Sequence, residues 1–193
     1  NAKINASLCY REITMTYSIV AKDKKTGAIG IAVASRFFAC GAMVPFVAQN
    51  VAVASQAFCN PLWGIEGRDR LNAGEKAHMI LNDFVKRDAG QAIRQAHMID
   101  IYGNTHAHTS KDCVDWAGHL NSENVSIQGN MLVGEETINA MFDSFKDTEN
   151  FDLKERLMLC LEAGQNAGGD KRGKQSAAIK VFDKEEYPYL DLR

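Results

Sequence analysis

Three side-chain amides, Gln56, Gln128 and Asn130, stand inside or beside apolar runs of this 193-residue chain. A buried amide left without a partner costs about 1–3 kcal/mol, so each must be met by a ligand, a water or a backbone group. Asn130, at a glycine-bearing turn ahead of a helix, could also donate to a developing oxyanion. Arg36 closes another apolar run. It could hold a substrate carboxylate through two parallel N–H bonds, or pair with one of the acidic side chains, which outnumber the basic ones 24 to 22. His106 and His108 are two residues apart, so a strand there turns both rings to one face, the beginning of a zinc site that Cys113, Asp115 and His119 could complete. Two ligands do not fix a metal, and paired strand histidines are more often hydrogen-bonded surface groups, so no metal and no cofactor is assigned. Asp170-Lys171-Arg172-Gly173-Lys174-Gln175-Ser176 gathers three cations and a carboxylate in a loop led by Gly168-Gly169. Such a loop is either a solvated segment or a clasp over an anionic or amide-bearing ligand.

The elements that carry these residues follow from periodicity. Thr16 to Asp23 alternates and ends in Lys24-Lys25-Thr26-Gly27, a strand and a hairpin turn. Ala28 to Ser35 and Val51 to Phe58 are nearly continuous apolar runs, as in strands covered on both faces. Helical spacing holds from Leu62 to Val85 with an interruption at Gly74, predicting two helices. Ala92 to Ile101, Thr105 to Thr109, a segment near Trp116 and Val125 to Gln128 read as strands. Glu135 to Asp147 and Asp152 to Gln165 read as amphipathic helices. Ser176 to Phe182 and Tyr187 to Leu192 close the chain as strands. Strands, two helices, strands, two helices, strands is the order of an α+β protein with two mainly antiparallel sheets, each covered outside by a helix pair, a four-layer αββα sandwich. An α+β sandwich with one sheet is the alternative.

Composition narrows the partners. A formal charge of −2 with no long basic block argues against nucleic acid. Apolar stretches such as Ala42 to Ala48 are far short of the ~20 residues of a membrane helix. Five irregularly spaced cysteines suggest neither a disulfide framework nor a metal site, which points to a reducing, cytoplasmic setting. Residues 1–14 lack a secretory apolar core and read as an extension ahead of one domain spanning residues 15–193, with Met15 a candidate translation start.

Four segments together resemble the bacterial family called domain of unknown function 1028, whose members are similar to Ntn hydrolases and proteasome-type peptidases. They are Thr16-Tyr17-Ser18-Ile19-Val20-Ala21, Val33-Ala34-Ser35-Arg36-Phe37-Phe38, Gln128-Gly129-Asn130-Met131-Leu132, and Gly168 through Ala178. The resemblance runs from about Thr16 to Arg193 and implies the Ntn-hydrolase-like form of the αββα sandwich. It also implies Thr16 as nucleophile, freed as an N-terminus by methionine removal so that its own amine, of pKa ~8, acts as base. Ahead of Thr16 this chain carries fifteen residues, and in that form the amine is locked in a peptide bond. By the same resemblance Asn130, Asp170 and Ser176 support the chemistry, and Ser35, Arg36, Gln56, Gln128, Gly129 and Arg172 bind substrate. The chain departs from the proteasome-type pattern at Ala34, where a catalytic aspartate is expected, and no lysine matches the one that accompanies the nucleophile. Two functions are therefore expected as alternatives. One is an amidohydrolase for a small-molecule or peptide amide; the other is a non-catalytic binder of a small polar ligand on the same scaffold. Subunits of this kind stack through helices, so a homodimer or larger homo-oligomer is a further expectation of the analogy.

Overall fold

The computed structural model describes residues 16–193; the expected extension at 1–14 and Met15 lie outside them. Strands β1 (Thr16–Lys22) and β2 (Ile29–Ser35) form an antiparallel hairpin. Its turn is held by Asp23, whose carboxylate accepts from Lys25 N and Thr26 Oγ1, both at 2.9 Å. Gly27 completes it at φ 82°, a left-handed conformation that costs glycine little. After a short helix α1 (Cys40–Met43) come β3 (Pro45–Ala48) and β4 (Val51–Ala57), then helices α2 (Pro61–Asn72) and α3 (Ala77–Arg87). Asn60 caps α2 by accepting from Leu62 N at 3.1 Å, with Pro61 in the first helical position, where its missing N–H is not needed. Strands β5 (Arg94–Ile99), β6 (Thr105–Thr109), β7 (Gly118–Ser122) and β8 (Val125–Asn130) follow, then α4 (Glu136–Asp147), α5 (Leu153–Asn166), β9 (Ser176–Phe182) and β10 (Leu190–Leu192).

The strands form two antiparallel sheets, of order β10-β9-β2-β1-β8-β7 and β3-β4-β5-β6. As the apolar runs predicted, β2 and β4 lie inside their sheets and are buried along their whole length. Three apolar clusters define the packing. Tyr17, Ile19, Ile127 and Ile179 meet Met141, Leu157 and Leu161 of α4 and α5 on the outer face of the larger sheet. Val53 and Met98 meet Trp63, Ile80 and Phe84 of α2 and α3 on the outer face of the smaller one. Between the sheets, Val20, Ile31 and Val33 meet Ala52, Ala54 and Ile99. Full burial of each such Ile contributes roughly 1.5–3 kcal/mol, so all three contacts are needed for a stable chain of this size.

Some boundaries differ from those expected. A turn of 3-10 helix (Gln91–Ile93) precedes β5, so that strand begins at Arg94 rather than Ala92. The last strand covers only Leu190–Leu192 of the expected Tyr187–Leu192. The strand expected near Trp116 starts at Gly118. Periodicity does not predict α1 or β3, which are four residues each. Strand β3 opens with a proline and lies at the sheet edge, where a missing N–H interrupts no ladder. No helix among the described residues is long and apolar enough to cross a membrane.

Candidate functional site

Strand register places four of the expected site residues in one row. Thr16 lies opposite Ser35 on one side and Asn130 on the other, and Ser35 lies opposite Ser176. The row crosses β9, β2, β1 and β8 at the end where β1 begins. Because side chains alternate along a strand, Tyr17 turns toward the helices while Thr16 and Ser18 turn toward the other sheet. Thr16 is buried, and its Oγ1 lies 3.2 Å from Ser35 Oγ. Tyr17 donates to Gln165 Oε1 at 3.2 Å, and burial, with the nearby Asp170 charge, pushes its phenol up to about 12.

The charged loop closes on this row. Asp170, itself buried, accepts from Arg36 N at 3.2 Å and Arg172 N at 2.7 Å. Arg36, exposed, donates from its guanidinium to Arg172 O at 2.9 Å, a backbone partner rather than a carboxylate. Ser176 donates to Phe37 O at 2.6 Å and accepts from Cys40 N at 3.0 Å, which ties the start of α1 to β9. Gly129 lies under Leu132, where an added Cβ would stand 2.5 Å from Leu132 Cδ1.

Beneath the row the two sheets meet through polar groups. Gln95 Nε2 donates to Gly129 O at 2.8 Å, and a carbonyl can only accept, so the orientation of the Gln95 amide is determined. Its Oε1 is then the acceptor for Asn130 Nδ2 at 2.9 Å and Gln56 Nε2 at 3.1 Å. That leaves Gln56 Oε1 facing Ser18, whose hydroxyl proton must lie between the two oxygens. Ser18 Oγ then accepts from His97 Nε2, at 2.9 Å, while Nδ1 lies 3.0 Å from Ser126 Oγ, which itself donates to Asn121 Oδ1 at 2.7 Å. His97 is fully buried, and desolvation pulls its pKa down to about 3, so the ring is neutral. Gln128 Nε2 donates to His108 O at 2.8 Å and Thr109 Oγ1 at 3.1 Å, while its Oε1 is buried without a partner. The partners expected for the three amides are thus mostly other protein groups. Gln95, His97 and Ser18 were not singled out in the sequence, although they complete the network.

The backbone is also unusual here. Ala39, Ala57 and Met131 have left-handed φ of 57°, 62° and 53°, and all three follow or end strands at the Thr16 end. Each such residue costs on the order of 1–3 kcal/mol and persists only where its surroundings require it, a pattern found most often at functional sites. Asn130 and Ala57 share the wall of a cavity of about 100 Å³ with Phe58, Ile93 and Cys113. That is smaller than the ~300 Å³ at which ligand pockets usually start.

His106 and His108 do share a face, but it is the one covered by helices. His106 lies 6.1 Å from the His78 ring of α3 and His108 6.1 Å from the Trp63 ring of α2. His119, bonded to Thr109 Oγ1 at 2.9 Å, is on the other side of the sheet. Among the described residues no three His, Cys, Asp or Glu side chains converge on a point where a metal could sit. Cys40, Cys59, Cys113 and Cys160 are free thiols, and burial raises the pKa of each.

No curated protein matches the chain. It is similar to the crystal structure of a protein from Silicibacter pomeroyi assigned to the family DUF1028, with a TM-score of 0.85 and 30% identity over 92% of this chain and 80% of the other. The model of that family, described as a family of unknown function, matches residues 16–193. The row of Thr16, Ser35, Asn130 and Ser176 and the loop at Asp170 therefore lie within the matched region, and the chain belongs to the DUF1028 family.

Proposed function

We propose that the sandwich is of the Ntn-hydrolase type, a four-layer αββα fold, and that the row centred on Thr16 hydrolyses a small amide or peptide bond once Thr16 is the first residue. The observation that carries this reading is the position of Thr16: the first residue of an interior strand, with Ser35 Oγ at 3.2 Å and Asn130 opposite it. An N-terminal Thr brings its own base, because an amine of pKa ~8 can take the hydroxyl proton near neutral pH. This matters here, since the Thr16 hydroxyl has a hydroxyl partner rather than an imidazole or carboxylate. In the reaction, Oγ1 attacks the substrate carbonyl as the amine takes its proton, and that proton then passes to the departing amine. Water releases the acyl group by the reverse use of the same base. Asn130, whose Nδ2 has one hydrogen committed to Gln95, retains a second for the oxyanion. Asp170 shapes the loop with Arg36 and Arg172 at the rim.

The second reading, a binder without chemistry, is favoured by Ala34. It sits in the helix-facing cluster with Tyr17 and supplies no charge to the row. The two readings separate when protein is expressed from Met15 and weighed intact. The hydrolase reading expects loss of one methionine and turnover of at least one substrate in a panel of small acyl amides, abolished by Thr16→Ala. Retention of Met15 on folded protein excludes the amine-base mechanism and leaves the binder.

A further inference from the structure

Arg156 has no role in the site described above, and its surroundings do not match its charge. It lies on α5 with 6% of its surface exposed, its guanidinium carbon 3.8 Å from the centre of the Phe145 ring. Nη2 donates to Phe145 O at 2.7 Å, in the last turn of α4, and Nε is buried without a partner. An arginine buried to this degree is expected to face a carboxylate, because a desolvated cation without a counter-charge is costly. The charges of Asp23 and Glu149 favour its charged form from a distance, but no carboxylate among the described residues forms an ion pair with it. Asp23 already accepts from Lys25 N and Thr26 Oγ1. Glu123 pairs with Lys24 at 3.4 Å, and Glu149 is exposed.

The guanidinium lines a cavity of about 280 Å³ at the end of β1 remote from Thr16, between the β1–β2 turn, the β7–β8 turn and the end of α4. Five cations and three carboxylates line it, an excess of two positive charges. Lys22, Lys25 and Lys146 are among them. The Lys25 ammonium reaches Glu149 O at 3.0 Å, and the Lys146 ammonium lies 4.7 Å over the Phe142 ring and 3.0 Å from Asp143 Oδ1; both lysines are exposed. A buried planar donor with free N–H capacity, ringed by ammonium groups, is an arrangement that recognises a doubly charged tetrahedral oxyanion.

We infer that this cavity is a binding site for a phosphate group, either inorganic phosphate or the phosphate of a small monoester, with Arg156 as the anchoring ligand and Lys25 and Lys146 as neutralising charges. Its place at the opposite end of β1 makes it separate from the Thr16 row, and it holds whether or not that row is catalytic.

The test is isothermal titration calorimetry on the full chain with inorganic phosphate and with phenyl phosphate, at constant ionic strength. At least one should bind with Kd below about 1 mM. Tighter binding of phenyl phosphate assigns the site to an ester, and equal or weaker binding assigns it to the free anion. Arg156→Gln should abolish binding, and Lys146→Glu, an exposed change, should weaken it by about tenfold. If Arg156→Gln does not fold, Lys146→Glu and Lys25→Glu decide the matter. Absence of binding by both anions to the unmodified chain overturns the inference, as does binding that folded charge variants leave unchanged.

Discussion

The space between the two sheets has an apolar half and a polar half, built on the same strands. Under β2 and β9, Ile31, Val33 and Ala178 pack on Ala52 and Ala54 without directional bonds. Under β1 and β8, Ser18 and Asn130 meet Gln56, Gln95 and His97 through hydrogen bonds, each of which restricts the next. The first half supplies stability that tolerates small changes of shape, because burial depends on area and is not directional. The second is a chain of linked donors and acceptors, and it lies beneath the row of Thr16. A buried polar cluster gains little net stability over an apolar one, so its value is positional. Here it orients Asn130.

This contrast can be broken first at Gln95. Replacing it with Leu strands Asn130 Nδ2, Gln56 Nε2 and Gly129 O together, and should cost about 3 kcal/mol or more in urea unfolding. A loss under about 1 kcal/mol would mean that the polar half is loosely packed and wet.

Acid should act most strongly on the polar half. His97 is pulled down to about 3 from an ordinary value of 6.5, so the unfolded chain binds the proton that the folded chain refuses. Stability is then complete above the unfolded value and declines as pH falls from about 6.5 toward about 3, with about 2 kcal/mol lost by about pH 5. The half-buried His106 and His108 and the exposed His119 shift in the same direction and add to the slope. Unfolding curves of His97→Gln across that range should be flatter than those of the unmodified chain; equal slopes would contradict a buried neutral ring.

The smallest effect belongs to the apolar half. Ile31→Val should cost about 1 kcal/mol, additive with Gln95→Leu within about 0.5 kcal/mol, because the two sites share no partner. Ser18→Ala and Gln56→Leu, by contrast, should show a coupling of about 1 kcal/mol in a double-mutant cycle. Additivity of that second pair would deny that the network acts as a unit.

The same contrast explains what could be read from the sequence. Ala28 to Ser35 and Val51 to Phe58 announce covered strands because nearly every residue in them is apolar, and both lie inside their sheets. Thr16 and Ser35 were found through family resemblance, Asn130 and the Asp170 loop also from their residue types and neighbours, and the structure brings them to one end of one sheet. Gln95 and His97 escaped notice for a physical reason. Gln95-Ala96-His97-Met98 alternates like a strand with one wet face, and alternation does not say that the polar face meets a second polar face in the interior. The pair His106 and His108 was legible as a shared face, but not the helices that cover it. Arg156 had no signal at all, since a helix cation is ordinarily solvated.

The central claim, that Thr16 is a nucleophile activated by its own amine, is tested most directly by intact mass after treatment with an electrophilic β-lactone. Protein expressed from Met15 and shown to begin at Thr16 should gain one adduct per chain, located on the N-terminal peptide and absent in Thr16→Ala. Folded protein with Thr16 as its first residue and no adduct would contradict the hydrolase and leave the row as a binding site.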